Sequence, residues 1–357
     1  MRPLEQQNTA KGTIEASMPH PPALKAALKR GAFVAAANWP LIAVQFIAEG
    51  TLKLLLAVPV VGGIFLVVLL LGADVEEVLS GDVREVIASV VSALRANPAA
   101  LVAFAAAFIL VLLGGSALTF VVKAGTVAIL ADAEAQAGPI ERPPLRLAAL
   151  GRANRTNIEP FLAGCRKFWR RFVTLGACLL VVYTATAAAY LSLVVGGYAL
   201  AGNSGVLLGW TFAAVLASSA LVVWITVVNF LYLLTQMAIA VEDLGVREAI
   251  GRVAQFIRAS TREVAGIFGV VLFLVAAATV VSILATAGLG LIAFVPLVGL
   301  AMVPLQVAAW LLRGFVFEYL ALTALGAYLT QYRYYLHGLS AVRAGDAASG
   351  IPGRNLA

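Results

Sequence analysis

Four charged side chains stand inside or beside long uncharged stretches: Glu49, Lys53, Arg313 and Glu318. A charge in hydrocarbon costs a few kcal/mol even on lenient insertion scales, so such residues mark a pair, a relay or a ligand cavity. Glu49 and Lys53 are four apart, which puts them on one helix face in the favourable order for a pair. Arg313 and Glu318 are five apart, about 140° around a helix axis, so neither fully satisfies the other. Each is expected to seek a partner on another helix, and Glu49 with Lys53 supplies one if the first and last helices touch. One reading is a structural polar cluster that fixes helix register, with Gln45, Asn229, Gln236 and Gln306 adding hydrogen bonds. The other is a proton or ion relay, or a ligand cavity. Lys123, at the inner end of the second apolar run, can snorkel to the interface and needs neither.

Other chemistry finds little to work with. The cysteines, Cys165 and Cys178, are too few for a thiolate metal cluster and are read as small membrane-compatible side chains. The histidines, His20 and His337, lie far apart in polar tails. Nucleotide-loop, zinc-protease, serine-elbow and Cys-x-x-Cys patterns are absent. No catalytic residue, metal site or cofactor is expected, and the chain is read as a non-enzyme.

The elements that must hold those four charges are membrane helices. Of 357 residues, 62% are hydrophobic and 12% charged, with a mean hydropathy of +0.96. Water-soluble domains run nearer half apolar and a quarter charged. A helix needs about 20 apolar residues to cross hydrocarbon. Uncharged stretches run from Leu54 to Ala73, Ala96 to Val122, Phe172 to Val241 and Val264 to Leu312. The third is two helices joined at Ala201 to Gly205. The fourth gives a helix from about Val264 to Ala287, an irregular connection with Gly288, Gly290, Pro296 and Pro304, and a last helix from about Leu305 to Thr330. The fold class expected is therefore all-α: a polytopic helical bundle of six transmembrane helices with cytoplasmic amphipathic interfacial helices.

A competing parse makes Leu291 to Leu312 and Gly314 to Tyr332 separate spans, seven in all. Basic residues mark the cytoplasmic side and favour six. With both termini inside, 21 of the 25 Lys and Arg are cytoplasmic. The expected location is the bacterial inner membrane, with a disordered tail over 1–22, a membrane domain over 23–338 and a flexible tail over 339–357. The first span serves as an uncleaved anchor, because no short apolar core with a cleavage site precedes it.

Amphipathic stretches lie between the spans. Val246, Ala249, Ile250, Val253 and Ile257 share one face, opposite Arg247, Arg252 and Arg258. Phe161, Leu162, Cys165, Phe168, Trp169 and Phe172 oppose Arg166, Lys167, Arg170 and Arg171. These seven basic residues form an interface for anionic lipid headgroups, each gaining about 1 kcal/mol near such a surface. An outer helix begins with Asp82 and Glu85 as cap and box partner. The segments starting near Leu24, Phe161 and Val246 read as a weak threefold repeat of one surface helix and one hairpin. The net charge of +7 is spread along this face, so nucleic acid is not an expected partner.

From Ala240, the text Ala-Val-Glu-Asp-Leu-Gly-Val-Arg-Glu-Ala-Ile-Gly-Arg, an apolar span and a close in Ala-Tyr-Leu-Thr-Gln-Tyr-Arg-Tyr-Tyr resemble a group of bacterial multipass proteins. The group includes the membrane domain found with some glycerophosphoryl diester phosphodiesterases, and stand-alone proteins without an assigned activity. Glu242, Glu248 with Ala249, Arg252, and Tyr328 to Tyr335 carry the likeness, over roughly the last hundred residues. Val253 and Ala254 depart from it, and these 357 residues hold no phosphodiesterase domain. The resemblance implies the helical architecture and no catalytic residue. The function expected is a scaffold or accessory subunit organising lipids or a partner membrane protein. The alternative is a small transporter or channel using the four intramembrane charges.

Overall fold

The computed structural model describes residues 22–71, 98–141, 147–201, 207–293 and 298–349. Among them the elements are helices: α1 Leu24–Ala37, α2 Trp39–Leu71, α3 Pro98–Gln136, α4 Leu147–Ala153, α5 Ile158–Ala201, α6 Leu207–Glu242, α7 Val246–Ala259, α8 Thr261–Ala293 and α9 Val298–Ser349. Six of them, α2, α3, α5, α6, α8 and α9, are long and apolar enough to cross a membrane. The chain is a multipass membrane protein, all-α, with six candidate spans.

Several boundaries differ from the sequence reading. The helix with the first candidate span starts at Trp39, and Glu49 and Lys53 lie within it ahead of the uncharged stretch from Leu54. Pro40 sits in its first turn, where the missing N–H would have had no intrahelical acceptor. The expected interfacial helix around Phe161 is not a separate element; it forms the opening turns of the 44-residue α5. The break between α8 and α9 is narrower than expected, since Gly288 and Gly290 lie in α8 and Pro304 lies in α9. Continuity of α9 from Val298 to Ser349 removes the seven-span parse, and residues 339–349, expected as part of a flexible tail, are helical. The N-terminal tail to residue 21, the outer helix at Asp82 and Glu85, and the turn at Gly202 to Gly205 lie outside the described residues.

Two of the three proposed repeat units share a device. Helix α1 ends at Asn38 (φ −109°, ψ 37°) and α2 begins at the next residue. Helix α7 ends at Ser260 (φ −128°, ψ 37°) and α8 begins at the next. One non-helical residue suffices to turn a 14-residue amphipathic helix into a span. At Asn38 the cost of breaking the ladder is offset by its buried amide. It donates to the Val34 and Ala153 carbonyls (2.9 and 2.8 Å) and accepts from the Arg155 N–H and the Thr156 hydroxyl (2.9 and 3.0 Å).

The chain divides into two compact units: residues 1–42, 127–156 and 227–357 form the first, and 43–126 with 157–226 the second. In the first unit α1 packs along α9, with Ala27, Gly31, Val34 and Ala35 turned inward at helical spacing. The approach is backbone to backbone. A Cβ on Gly31 would overlap the Thr323 carbonyl oxygen and lie 2.6 Å from the Ala327 nitrogen, and one on Gly326 would lie 2.9 Å from the Gly31 Cα. Aromatic rings fill the rest: Phe230 meets Phe268 and Tyr328 at 4.9 and 5.6 Å, and Phe256 meets Tyr332 edge-on at 5.0 Å.

The inward face of α7 is Ala249, Val253 and Phe256, while Ile250 is 53% exposed. That face is rotated from the expected one because Phe256 joins the Tyr332 and Tyr335 rings. The Glu248 carboxylate accepts from the Gly245 N–H at 3.3 Å and fixes the first turn of α7.

In the second unit, α5 and α6 are joined by polar contacts between apolar faces. Trp224 donates its ring N–H to the Thr186 hydroxyl (3.1 Å), and Tyr190 and Ser218 share a hydrogen bond of 2.8 Å. The most apolar stretches of α5 and α6 bury none of their residues, against 22% in α9. Val181, Phe212, Val222 and Val223 point outward. Such a surface is compatible with lipid tails as solvent, since they are as apolar as the side chains.

Candidate functional site

The most enclosed charge among the described residues of the first unit is Glu134, with its side chain 4% exposed. Val127, Leu130 and Ala131 are buried with it, at helical spacing along α3. Glu134 therefore sits on the inward stripe of its helix, and that period was the sequence signal for it. Burial of a lone carboxylate is prohibitive unless it is paired. Arg30 of α1 approaches Oε1 at 3.0 Å, and Arg333 of α9 approaches Oε2 at 2.8 Å. The second approach is a charge contact without an aligned hydrogen bond. Thr330 donates to Oε1 at 3.3 Å.

The guanidinium of Arg30 is almost fully committed. It also donates to the Glu134 carbonyl at 2.9 Å, to the Gly138 carbonyl, and to Glu141 Oε2 at 3.1 Å. Gly138, at φ 64°, lets the chain turn after α3 and present that carbonyl. Arg333 donates a further bond to the Ala131 carbonyl (2.8 Å), and Lys29 donates to the Glu141 carbonyl (3.0 Å). A cavity of about 650 Å³ opens onto this cluster, with Arg30, Glu134, Glu141, Arg333, Tyr334 and His337 in its wall. Two carboxylates balance two guanidiniums there, and Arg30 spends four hydrogen bonds on the protein while Arg333 spends one and a charge contact. The arrangement is a clamp of three helices before it is a reactive set.

A second cluster forms at the end of α6. Glu242 accepts from the Tyr332 hydroxyl on Oε1 and pairs with Arg252 Nε on Oε2 at 3.1 Å. Asp243 follows in the left-handed region (φ 57°), which a short polar side chain tolerates, and turns the chain toward α7. The residues that carried the family resemblance, Glu242, Arg252 and Tyr332, thus meet in one place, and Glu248 caps the helix between them. Each has a structural role. Arg252 was expected to face lipid headgroups; its Nε is instead held by Glu242.

Of the four expected intramembrane charges, Glu49 and Lys53 belong to the second unit and Arg313 and Glu318 to the first. Glu49 pairs with Lys123 at 2.9 Å, both in the second unit, while Lys53 is exposed. The Glu49–Lys53 pair is replaced because a cation on the neighbouring helix reaches the carboxylate. Arg313, in the first unit, lies over the Phe317 ring at 5.8 Å and is exposed, and Glu318 is half-buried. None of the four lines the cavity at Glu134, nor the 480 Å³ groove beside Leu162, Arg166 and Lys167.

The other basic interface residues are presented outward. Arg166, Lys167, Arg170, Arg247 and Arg258 are exposed and Arg171 is half-exposed. Lys167 stacks over Phe168 at 4.7 Å and Arg170 over Trp169 at 5.5 Å. Comparison of the chain with family models, with curated proteins and with solved structures yields no match.

Proposed function

We propose that this chain is a non-enzymatic multipass protein of the bacterial inner membrane. Its role is that of a scaffold or accessory subunit that organises anionic lipids or a partner membrane protein, with both termini cytoplasmic. The observation that carries the reading is the use made of the enclosed charges. Glu134 and Glu242 spend their oxygens on Arg30, Arg333, Arg252 and Tyr332, which join α1, α3, α6, α7 and α9. Charges employed this way specify one helix arrangement. The outward apolar faces of α5 and α6 then remain for lipid or a partner.

A transporter using Glu49, Lys53, Arg313 and Glu318 draws no support from either described cavity, since neither contains them. Purified protein in sealed proteoliposomes with an internal pH dye provides the test. The scaffold reading expects proton and potassium flux equal to protein-free vesicles, in parent and Glu318→Gln alike. Protein-dependent flux abolished by Glu318→Gln would overturn it in favour of the transporter.

A further inference from the structure

Helix lengths and one level of charge locate the membrane boundary in the second unit. Helices α2, α3 and α5 have 33, 39 and 44 residues, or about 50, 58 and 66 Å at 1.5 Å per residue. A hydrocarbon core is about 30 Å thick. Fitting α3 within it would need a tilt near 60°, where about 20° is typical. Much of each helix must therefore lie outside the hydrocarbon.

Three contacts put charges of these helices at one height. Glu49 of α2 pairs with Lys123 of α3. On α3, Gly125 lies against Phe161 and Cys165 of α5, and the Phe120 ring fills the space beside Gly176 of α5. Lys123 falls between those two contacts, hence alongside the part of α5 that holds Arg166, Lys167, Arg170 and Arg171. Lys53 is one turn from Glu49. The level carries six cations against one carboxylate. On its far side the helices hold no charge: Leu54–Leu71, Pro98–Val122 and Phe172–Ala201 are each long enough to cross most or all of the core.

We infer that this level, Glu49, Lys53, Lys123 and Arg166 to Arg171, is seated at the lipid phosphates of one leaflet, and that the turns of α3 and α5 on its other side project out of the bilayer. Glu49 and Lys53 are then interfacial rather than intramembrane. Lys53 then meets lipid phosphate, and Glu49 meets Lys123 and water, instead of hydrocarbon, which removes the need for a transport role to explain them. Trp169, 45% exposed amid the cations, is at the depth where indole rings concentrate. From Lys123 to Gln136, α3 runs on for about 20 Å. The inference deepens the lipid part of the proposed function, and the experiment below leaves the flux test independent.

Spin labels report depth directly. The protein carrying Cys178→Ala keeps Cys165, which is buried, and takes one added cysteine at a time at exposed positions Thr51, Val58, Asp132, Ala163 or Val181. It is reconstituted in vesicles of phosphatidylethanolamine and phosphatidylglycerol. Relaxation by oxygen is compared with relaxation by a water-soluble nickel chelate. The expected result is nickel-dominated relaxation at Asp132 and Ala163, balanced relaxation at Thr51, and oxygen-dominated relaxation at Val58 and Val181. A Thr51 label as deep as Val58, or an Asp132 label shielded from nickel, would overturn the inference. Native mass spectrometry gives a second readout without added cysteines: replacing Arg166, Lys167, Arg170 and Arg171 with Gln should lower retained phosphatidylglycerol severalfold. Unchanged retention would equally count against it.

Discussion

Arg30 Nε lies 3.0 Å from Glu134 Oε1, although 104 residues of chain separate them. The contact ties the first amphipathic helix to the end of α3, and Arg333 on the other oxygen brings in α9. Glu134→Ala would leave the Arg30 and Arg333 guanidiniums without their shared carboxylate at the wall of the cavity and should destabilise the protein by about 1–3 kcal/mol. Glu134→Gln keeps the volume and one acceptor for Thr330, so its loss should be smaller. Melting in detergent micelles measures both. An unchanged melting temperature in Glu134→Ala would remove the clamp as a source of stability.

The α1–α9 contact predicts opposite signs for two like substitutions. Gly31→Ala drives a methyl into the α9 backbone and should cost about 1–3 kcal/mol or more. Gly251 in α7 has nothing within 4 Å of an added Cβ, so Gly251→Ala should gain about 0.5–1 kcal/mol from helix propensity. Both are read as shifts in melting temperature.

Tyr332 and Arg252 are coupled through Glu242, which each engages on a different oxygen. A double-mutant cycle of Tyr332→Phe with Arg252→Gln should show a coupling energy of about 0.5–3 kcal/mol. Additive losses would mean that Glu242 does not link them.

The two cysteines should differ in reactivity by environment alone. Cys165 is buried and Cys178 is exposed on an apolar stretch. In mild detergent, membrane-permeant N-ethylmaleimide is expected to label Cys178 faster than Cys165, and in intact vesicles to label neither, because the thiolate that attacks maleimide does not form in hydrocarbon. Labelling of Cys165 as fast as Cys178 in detergent would contradict the packing of α5 against Gly125.

Patterns that a helix carries within itself were readable before the structure. Apolar run length gave six spans, and the 3.6-residue period gave α7 as a separate amphipathic helix. The period alone could not orient α7 finely, because Phe256 versus Ile250 depends on the rings of α9. Pairings between helices were not readable. Lys123 was expected to snorkel and Glu49 to take the cation four residues on, yet the neighbouring helix decides both. Glu134 was not singled out from the sequence, although it continues the helical period of Val127, Leu130 and Ala131. Its burial follows from Arg30 and Arg333, neither of which is near it in sequence. Pro304 and the glycines near 290 were given too much weight as breakers, since a helix in apolar surroundings has no water to satisfy a broken ladder.

The outward faces of α5 and α6 have a consequence for how this protein can change over generations. Where a side chain answers only to hydrocarbon, leucine, valine and phenylalanine are nearly interchangeable, so residues such as Val181, Phe212 and Val222 can drift without penalty. Positions tied to a specific partner, such as Gly31, Asn38 and Glu134, have no such freedom. Descent in this architecture should therefore be recorded in a few scattered contact points, while most of the spanning text is rewritten.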